Sequence, residues 1–100
     1  MNHSLSQESG STVLRVQGEL DALSCPDIRP VLDALVKDGN AAVTVDLSDL
    51  RLIDSSGVGA LVSLYKRVRA NGGEVRFVGV KAQPLVVFKL LRLDRAFSLS

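Results

Sequence analysis

Residues 54–57, Asp-Ser-Ser-Gly, are the part of the sequence whose residue types and spacing point to chemistry. They lie in "LIDSSGVGALVSLYKRV", between an apolar run and a segment of helical period. Two uses suit them. An oxygen at a helix N-cap accepts hydrogen bonds from free backbone N–H groups, worth about 1 kcal/mol. A serine there can also accept a phosphoryl group, because the helix N-terminus stabilises the added negative charge. Capping explains one residue well. It does not require two adjacent serines or the small "SSGVG" run, so both readings stay open on these residues alone.

Other chemistries lack their parts. The single histidine, His3, sits near the start of the chain, so a Ser-His-Asp triad has no base. "DSSGVG" is not the G-x-S-x-G elbow of a hydrolase. One cysteine and one histidine make no metal cluster, so no catalytic residue, metal site or cofactor is expected. "GVGALVSLYK" contains neither a Gly-Lys-Ser/Thr phosphate loop nor a full G-x-G-x-x-G, and Gly57 and Gly59 read as room for close packing at a helix start. Lys66, Arg67, Arg69 and Arg76 read first as solvated charge complementing a helix end, ahead of a site for phosphate or an acidic partner.

The elements that must position these residues follow from period and punctuation. "STVLRVQGEL" alternates as a strand interrupted at Gly18, and "HSLSQESG" before it is a weaker, polar strand that turns at Ser9 and Gly10, giving an edge hairpin. Ile28, Val31, Leu32, Leu35 and Val36 recur at helical spacing; Ser24 with Asp27 suggests a capping box, and Pro30 implies a start near Asp27 or distorted first turns. Gly39 and Asn40 end this helix. Val43, Val45 and Leu47 mark a central strand, with Leu50 and Ile53 as apolar anchors in the connection beyond it. From Ser56, Val58, Leu61, Val62, Tyr65 and Val68 cover one helical face, closed by Asn71, Gly72 and Gly73. "EVRFVGV" is another strand, "AQPLVVFKLLRLD" a helix with Pro84 near its start, and Phe97 and Leu99 suggest a short final edge strand. The predicted fold is α/β: one domain over residues 1–100, with residues 1–4 flexible and a mixed, mainly parallel sheet of four to five strands packed by helices.

Composition narrows the partners. In 100 residues, twelve Lys and Arg stand against eleven Asp and Glu, so nothing draws the chain to nucleic acid or an anionic membrane. Cys25 has no partner for an intramolecular disulfide, and "MNHSLSQESG" lacks the features of a secretory signal, so a cytoplasmic protein is expected. The apolar run "PLVVFKLL" is broken by Lys89 and falls short of the roughly 20 residues of a membrane span, so direct membrane insertion is not expected.

"GELDALSCPDIRPVL" followed by "VTVDLSDLRLIDSSGVGALVSLYKRVRANGGEVRFVGV" resembles the STAS domain, and within it the bacterial anti-sigma factor antagonists of the SpoIIAA type. The resemblance runs from about Val13 to Phe97 and is sharpest in "DLSDLRLIDSSGVGAL". It implies a partner-switching phosphoprotein that regulates transcription. Unphosphorylated, such a protein binds an anti-sigma factor that is also a serine kinase and so frees the sigma factor; phosphorylated, it lets go, and a PP2C-type phosphatase resets it. The phosphorylated serine of the family corresponds to Ser56. Asp21 matches the acidic residue beside the phosphorylation loop, Asp54 and Ser55 match the motif presenting the serine, and Ser24, Gly57 and Val58 fall on the same partner-binding surface. ATP and Mg²⁺ would belong to the kinase, and the free protein is expected to be a monomer. Two other uses of the fold remain open: a docking subunit of a membrane lipid-transport ABC complex, and a partner switch with a non-transcriptional output.

Overall fold

The computed structural model describes residues 1–97 and 99. Nine elements follow in the order β1 (Asn2–Glu8), β2 (Ser11–Leu20), α1 (Cys25–Lys37), β3 (Ala42–Asp46), β4 (Leu50–Ile53), α2 (Ser55–Ala70), β5 (Glu74–Val78), α3 (Ala82–Leu90) and α4 (Leu93–Ala96). The strands form one five-stranded sheet in the order β1-β2-β3-β5, with β4 also on β2. Only β1 runs antiparallel, as the hairpin partner of β2; the other pairings are parallel. Residues 2–4, for which flexibility is expected, lie in β1, with Asn2 opposite Gln17.

The long strand β2 organises the sheet. Its first half pairs with β3, Leu14 against Val45, and its second half with β4, Leu20 against Ile53. Between the halves Gly18 takes φ +87° and the register shifts, so the glycine that interrupts the sequence pattern is the bend that lets one strand serve two partners. Leu50–Ile53 is therefore a strand, where the sequence suggested anchors in a connection. The chain leaves β3 through a turn held by the Ser48 N–H on Asp46 Oδ1 at 2.9 Å and rejoins the sheet at Leu50.

Alternate residues of β2, β3 and β5, among them Leu14, Val16, Val43, Val45, Val75 and Phe77, point into one buried core. Ile28, Leu32 and Leu35 of α1, Leu61, Leu64 and Val68 of α2, and Phe88 of α3 close it. The other face of the sheet is polar: Arg15 pairs with Glu8 at 2.8 Å and with Asp46 at 3.5 Å. One face buried and one solvated suits a sheet carrying its helices on one side.

Helix α1 starts at Cys25 and accepts Pro30 in its interior, with no capping box. Ser24 has helical angles, and its hydroxyl is used in the loop before it. At the far end of α2 only Gly72 takes a left-handed angle, φ +82°. In place of the final edge strand, Leu93–Ala96 is a short helix; Phe97 is buried in the turn after it, stacked on Phe77 at 4.2 Å, and Leu99 lies outside any strand. Ser98 and Ser100 of that expected strand lie outside the described residues. Helix α3 buries Phe88 but leaves Val86 and Leu90 exposed, as is Leu91 just after it. Among the described residues no helix is long and apolar enough to cross a membrane.

Candidate functional site

The Asp-Ser-Ser-Gly segment sits where β4 hands over to α2. Asp54 is the N-cap in an extended conformation, and its Oδ1 accepts from the Gly57 N–H at 3.0 Å. Its Oδ2 accepts from the Ala22 N–H at 3.1 Å, so one carboxylate ties the start of α2 to the loop between β2 and α1. That loop is knotted by its own polar residues. Asp21 Oδ1 accepts from the Leu23 and Ser24 N–H groups, each at 3.0 Å, and the Ser24 hydroxyl donates to the Glu19 carbonyl at 2.9 Å while accepting from the Asp21 N–H at 3.0 Å. Asp21 therefore shapes a turn whatever else it does.

Ser55 and Ser56 open the first turn of α2. Asp54 has taken the capping role, and neither serine hydroxyl has a hydrogen-bond partner among the described residues. Ser55 is exposed and Ser56 half-buried, both among the N–H groups that a helix start leaves unpaired. The arrangement leaves a serine hydroxyl accessible at a place electrostatically suited to an anion.

Gly57 and Val58 do not share that exposure. Both are buried, beneath the exposed residues of the expected partner-binding loop. A Cβ on Gly57 would overlap the Leu20 carbonyl oxygen and come within 2.7 Å of Ile53 Cγ1, so the glycine lets the helix start press against the ends of β2 and β4. Gly59, by contrast, faces open space, and the close-packing role belongs to Gly57 alone.

Two features of the site carry no signal at the level of motif. The side-chain amide of Gln83 on α3 is a two-way clamp on Ile53: its Oε1 accepts from the Ile53 N–H at 2.9 Å and its Nε2 donates to the Ile53 carbonyl at 3.0 Å. A side chain thus stands in for a neighbouring strand just before Asp54. The second feature is apolar exposure: Leu23, at the tip of the β2–α1 loop, is 90% exposed and Leu52 46%. Leu52 and Gln83, with Glu19, Asp21, Ile53 and Asp54, line a shallow cleft of about 300 Å³. Three carboxylates line it, and Arg51 lies 4.0 Å from the one on Glu19.

Cys25, at the start of α1, is buried; burial pushes its thiol up, opposed by Arg29 and aided by Asp54 and Asp21, so it stays protonated and inert near neutral pH. The basic residues singled out in the sequence are dispersed. Arg67 pairs with Asp33 of α1 at 2.7 Å, Arg69 donates to the Tyr65 hydroxyl at 3.0 Å, Lys66 faces solvent and Arg76 lies on β5.

Comparison with known proteins agrees with this architecture. The STAS domain family profile matches residues 3–100. The anti-sigma-B factor antagonist of Bacillus subtilis (strain 168) is 26% identical over 100 residues, an alignment covering all of this chain and 91% of that protein. An anti-sigma factor antagonist from Mycobacterium paratuberculosis superposes with a TM-score of 0.84 at 25% identity, over 96% of this chain and 81% of the other. SpoIIAA, an anti-sigma factor antagonist solved in its unphosphorylated form, superposes at 0.72 with 21% identity, over 95% and 97%. SpoIIAA in its phosphorylated form gives 0.76 at 23%, over 94% and 86%. With the profile matching residues 3–100 and the whole fold superposing on these proteins, the chain belongs to the STAS domain family.

Proposed function

We propose that this chain is a cytoplasmic anti-sigma factor antagonist switched by phosphorylation of Ser56. Unphosphorylated, it binds an anti-sigma factor with serine kinase activity and so releases a sigma factor; the kinase then modifies Ser56, the complex separates, and a PP2C-type phosphatase restores the binding form. The observation that carries this reading is the division of labour in the Asp-Ser-Ser-Gly segment. Asp54 caps α2, and among the described residues the Ser56 hydroxyl has no hydrogen-bond partner at the helix start. The names of the Bacillus subtilis and Mycobacterium paratuberculosis relatives, both anti-sigma factor antagonists, support the class of partner.

The surface would be built from the Asp21–Ser24 loop with its exposed Leu23, from Leu52, and from Asp54, Ser55 and Ser56. Gly57 and Val58 shape it from beneath. Phosphorylation adds about −1.5 to −2 charge near neutral pH, here in the first turn of the helix that Asp54 caps. A charge left unpaired or set against like charge in an interface costs on the order of several kcal/mol, and each 1.4 kcal/mol is about tenfold in affinity, so one phosphate buried in the contact weakens the complex by about a hundredfold or more. The N–H groups at the helix start meanwhile accept the phosphate without unfolding the domain.

The test is phosphate transfer. Wild type and Ser56→Ala are incubated with ATP, Mg²⁺ and lysate of the native organism across growth and stress conditions, and the modified peptide is sequenced. Phosphate on Ser56, absent from the variant, is expected, and a kinase purified by this assay should bind Ser56→Ala but lose Ser56→Glu by at least about a hundredfold. Phosphate on another residue, no transfer from lysates with active kinases, or equal binding of both variants would overturn the switch.

A further inference from the structure

Strand β5 ends the sheet on the side away from β1, so one of its two backbone edges has no strand beside it among the described residues. Its inner edge is used: the Glu74 N–H bonds to Ala41 at 2.8 Å, and the Val78 carbonyl accepts from Leu47 at 2.9 Å. Successive residues of a parallel strand turn their backbone groups to opposite sides, so Val75 and Phe77 direct theirs outward. They face a cleft of about 530 Å³ running along the whole strand between Arg69 of α2 and Phe97. An extended backbone fits such an edge.

The flanking charges indicate which backbone. Glu74 and Arg76 are exposed on either side of Val75, and neither has an ion-pair partner among the described residues. The tripeptide Glu-Val-Arg is complementary to itself when reversed. With Val75 facing its symmetry mate in an antiparallel pair, the two valines exchange both backbone hydrogen bonds, and each Glu74 lies directly opposite the other copy's Arg76. A shift of two residues in either direction sets Glu74 against Glu74 or Arg76 against Arg76 instead, which is unfavourable.

We infer that β5 is a self-association edge, joining two copies of this chain about a two-fold axis through Val75 with reciprocal Glu74–Arg76 pairs. This is an isologous contact and closes as a dimer, so it does not propagate into fibres. One five-residue strand buries far less than the roughly 800 Å² per partner of a stable interface, and the association is weak: monomer when dilute, as the sequence suggests, and dimer when concentrated. It requires nothing of the Ser56 switch.

Charge reversal tests the pairing without disturbing the core, since both side chains are exposed. Sedimentation velocity from micromolar to millimolar protein should show concentration-dependent dimerisation of the wild type, weakened at least about tenfold in Glu74→Arg and in Arg76→Glu, each of which sets like charges opposite one another. The double variant Glu74→Arg/Arg76→Glu should recover wild-type association to within about threefold, and mixing the two single variants should yield a heterodimer. A wild type that stays monomeric at millimolar concentration overturns the proposal, as does association that the single variants leave intact or the double variant fails to restore. Val75 and Phe77 amides already protected from hydrogen exchange in dilute protein would also overturn it, by showing the edge covered within one chain.

Discussion

At the scale of single residues, the site depends on a carboxylate and a missing side chain. Asp54 satisfies donors on two different segments, and Gly57 allows those segments to meet; the first role is visible in the motif, because an acid three residues before a free N–H is the ordinary form of a cap. The second is not, because nothing in the order "DSSG" says that the Leu20 carbonyl lies against the helix start. Gly57→Ala is expected to destabilise the domain by about 1–3 kcal/mol through overpacking, read as a lower midpoint of urea unfolding with an unchanged slope. Gly59→Ala, with open space around it and a helical position, should be neutral or stabilising in the same measurement.

At the scale of elements, the unexpected link is from α3 to β4. The Ile53 N–H and carbonyl face away from β2 and would lie unsatisfied at the sheet edge, but the Gln83 amide supplies a donor and an acceptor at strand-like distances. Gln83→Ala should cost about 1–3 kcal/mol for the backbone groups left unpaired, and loss of hydrogen-exchange protection at the Ile53 amide would place the effect there. Intact protection in that variant would count against the clamp. The strand it holds is the one not predicted as a strand, for a related reason: four residues are too few for a period to be decisive, and β4 exists because β2 bends at Gly18 and has a second half to pair. The C-terminal segment went the other way. Phe97 reads as a strand residue from its type, whereas the aromatic cluster with Tyr65, Phe77 and Phe88 gives it a better burial in a turn after α4.

At the scale of the whole molecule, the open face of the sheet contributes to the acid response. Burial pushes the Asp46 carboxyl up, but bonds from the Ser48 hydroxyl and N–H, with Arg15 nearby, outweigh it and hold the group below its ordinary 3.8. Hydrogen bonds from Arg15 and Ser6 likewise hold Glu8 below its ordinary 4.5. Both bind protons less tightly in the folded chain than in the unfolded one, so their stabilisation is complete above the ordinary carboxylate values and is lost as pH falls through the lower folded values. Urea midpoints are expected to decline below about pH 5, with a shallower decline in Asp46→Asn; identical profiles would remove Asp46 from the account. By itself the sequence determined the class of fold, the hairpin, most helix and strand assignments and the Asp-Ser-Ser-Gly helix start, since these rest on period, caps and breakers that act within a few residues. The tertiary structure decided which glycine is indispensable, that Val58 is buried while Leu23 is not, that Gln83 serves Ile53, and that β5 ends the sheet. Each of those depends on segments about thirty or more residues apart being brought into contact, Leu20 against Gly57 and Ile53 against Gln83 among them, and local propensity carries no record of such distances.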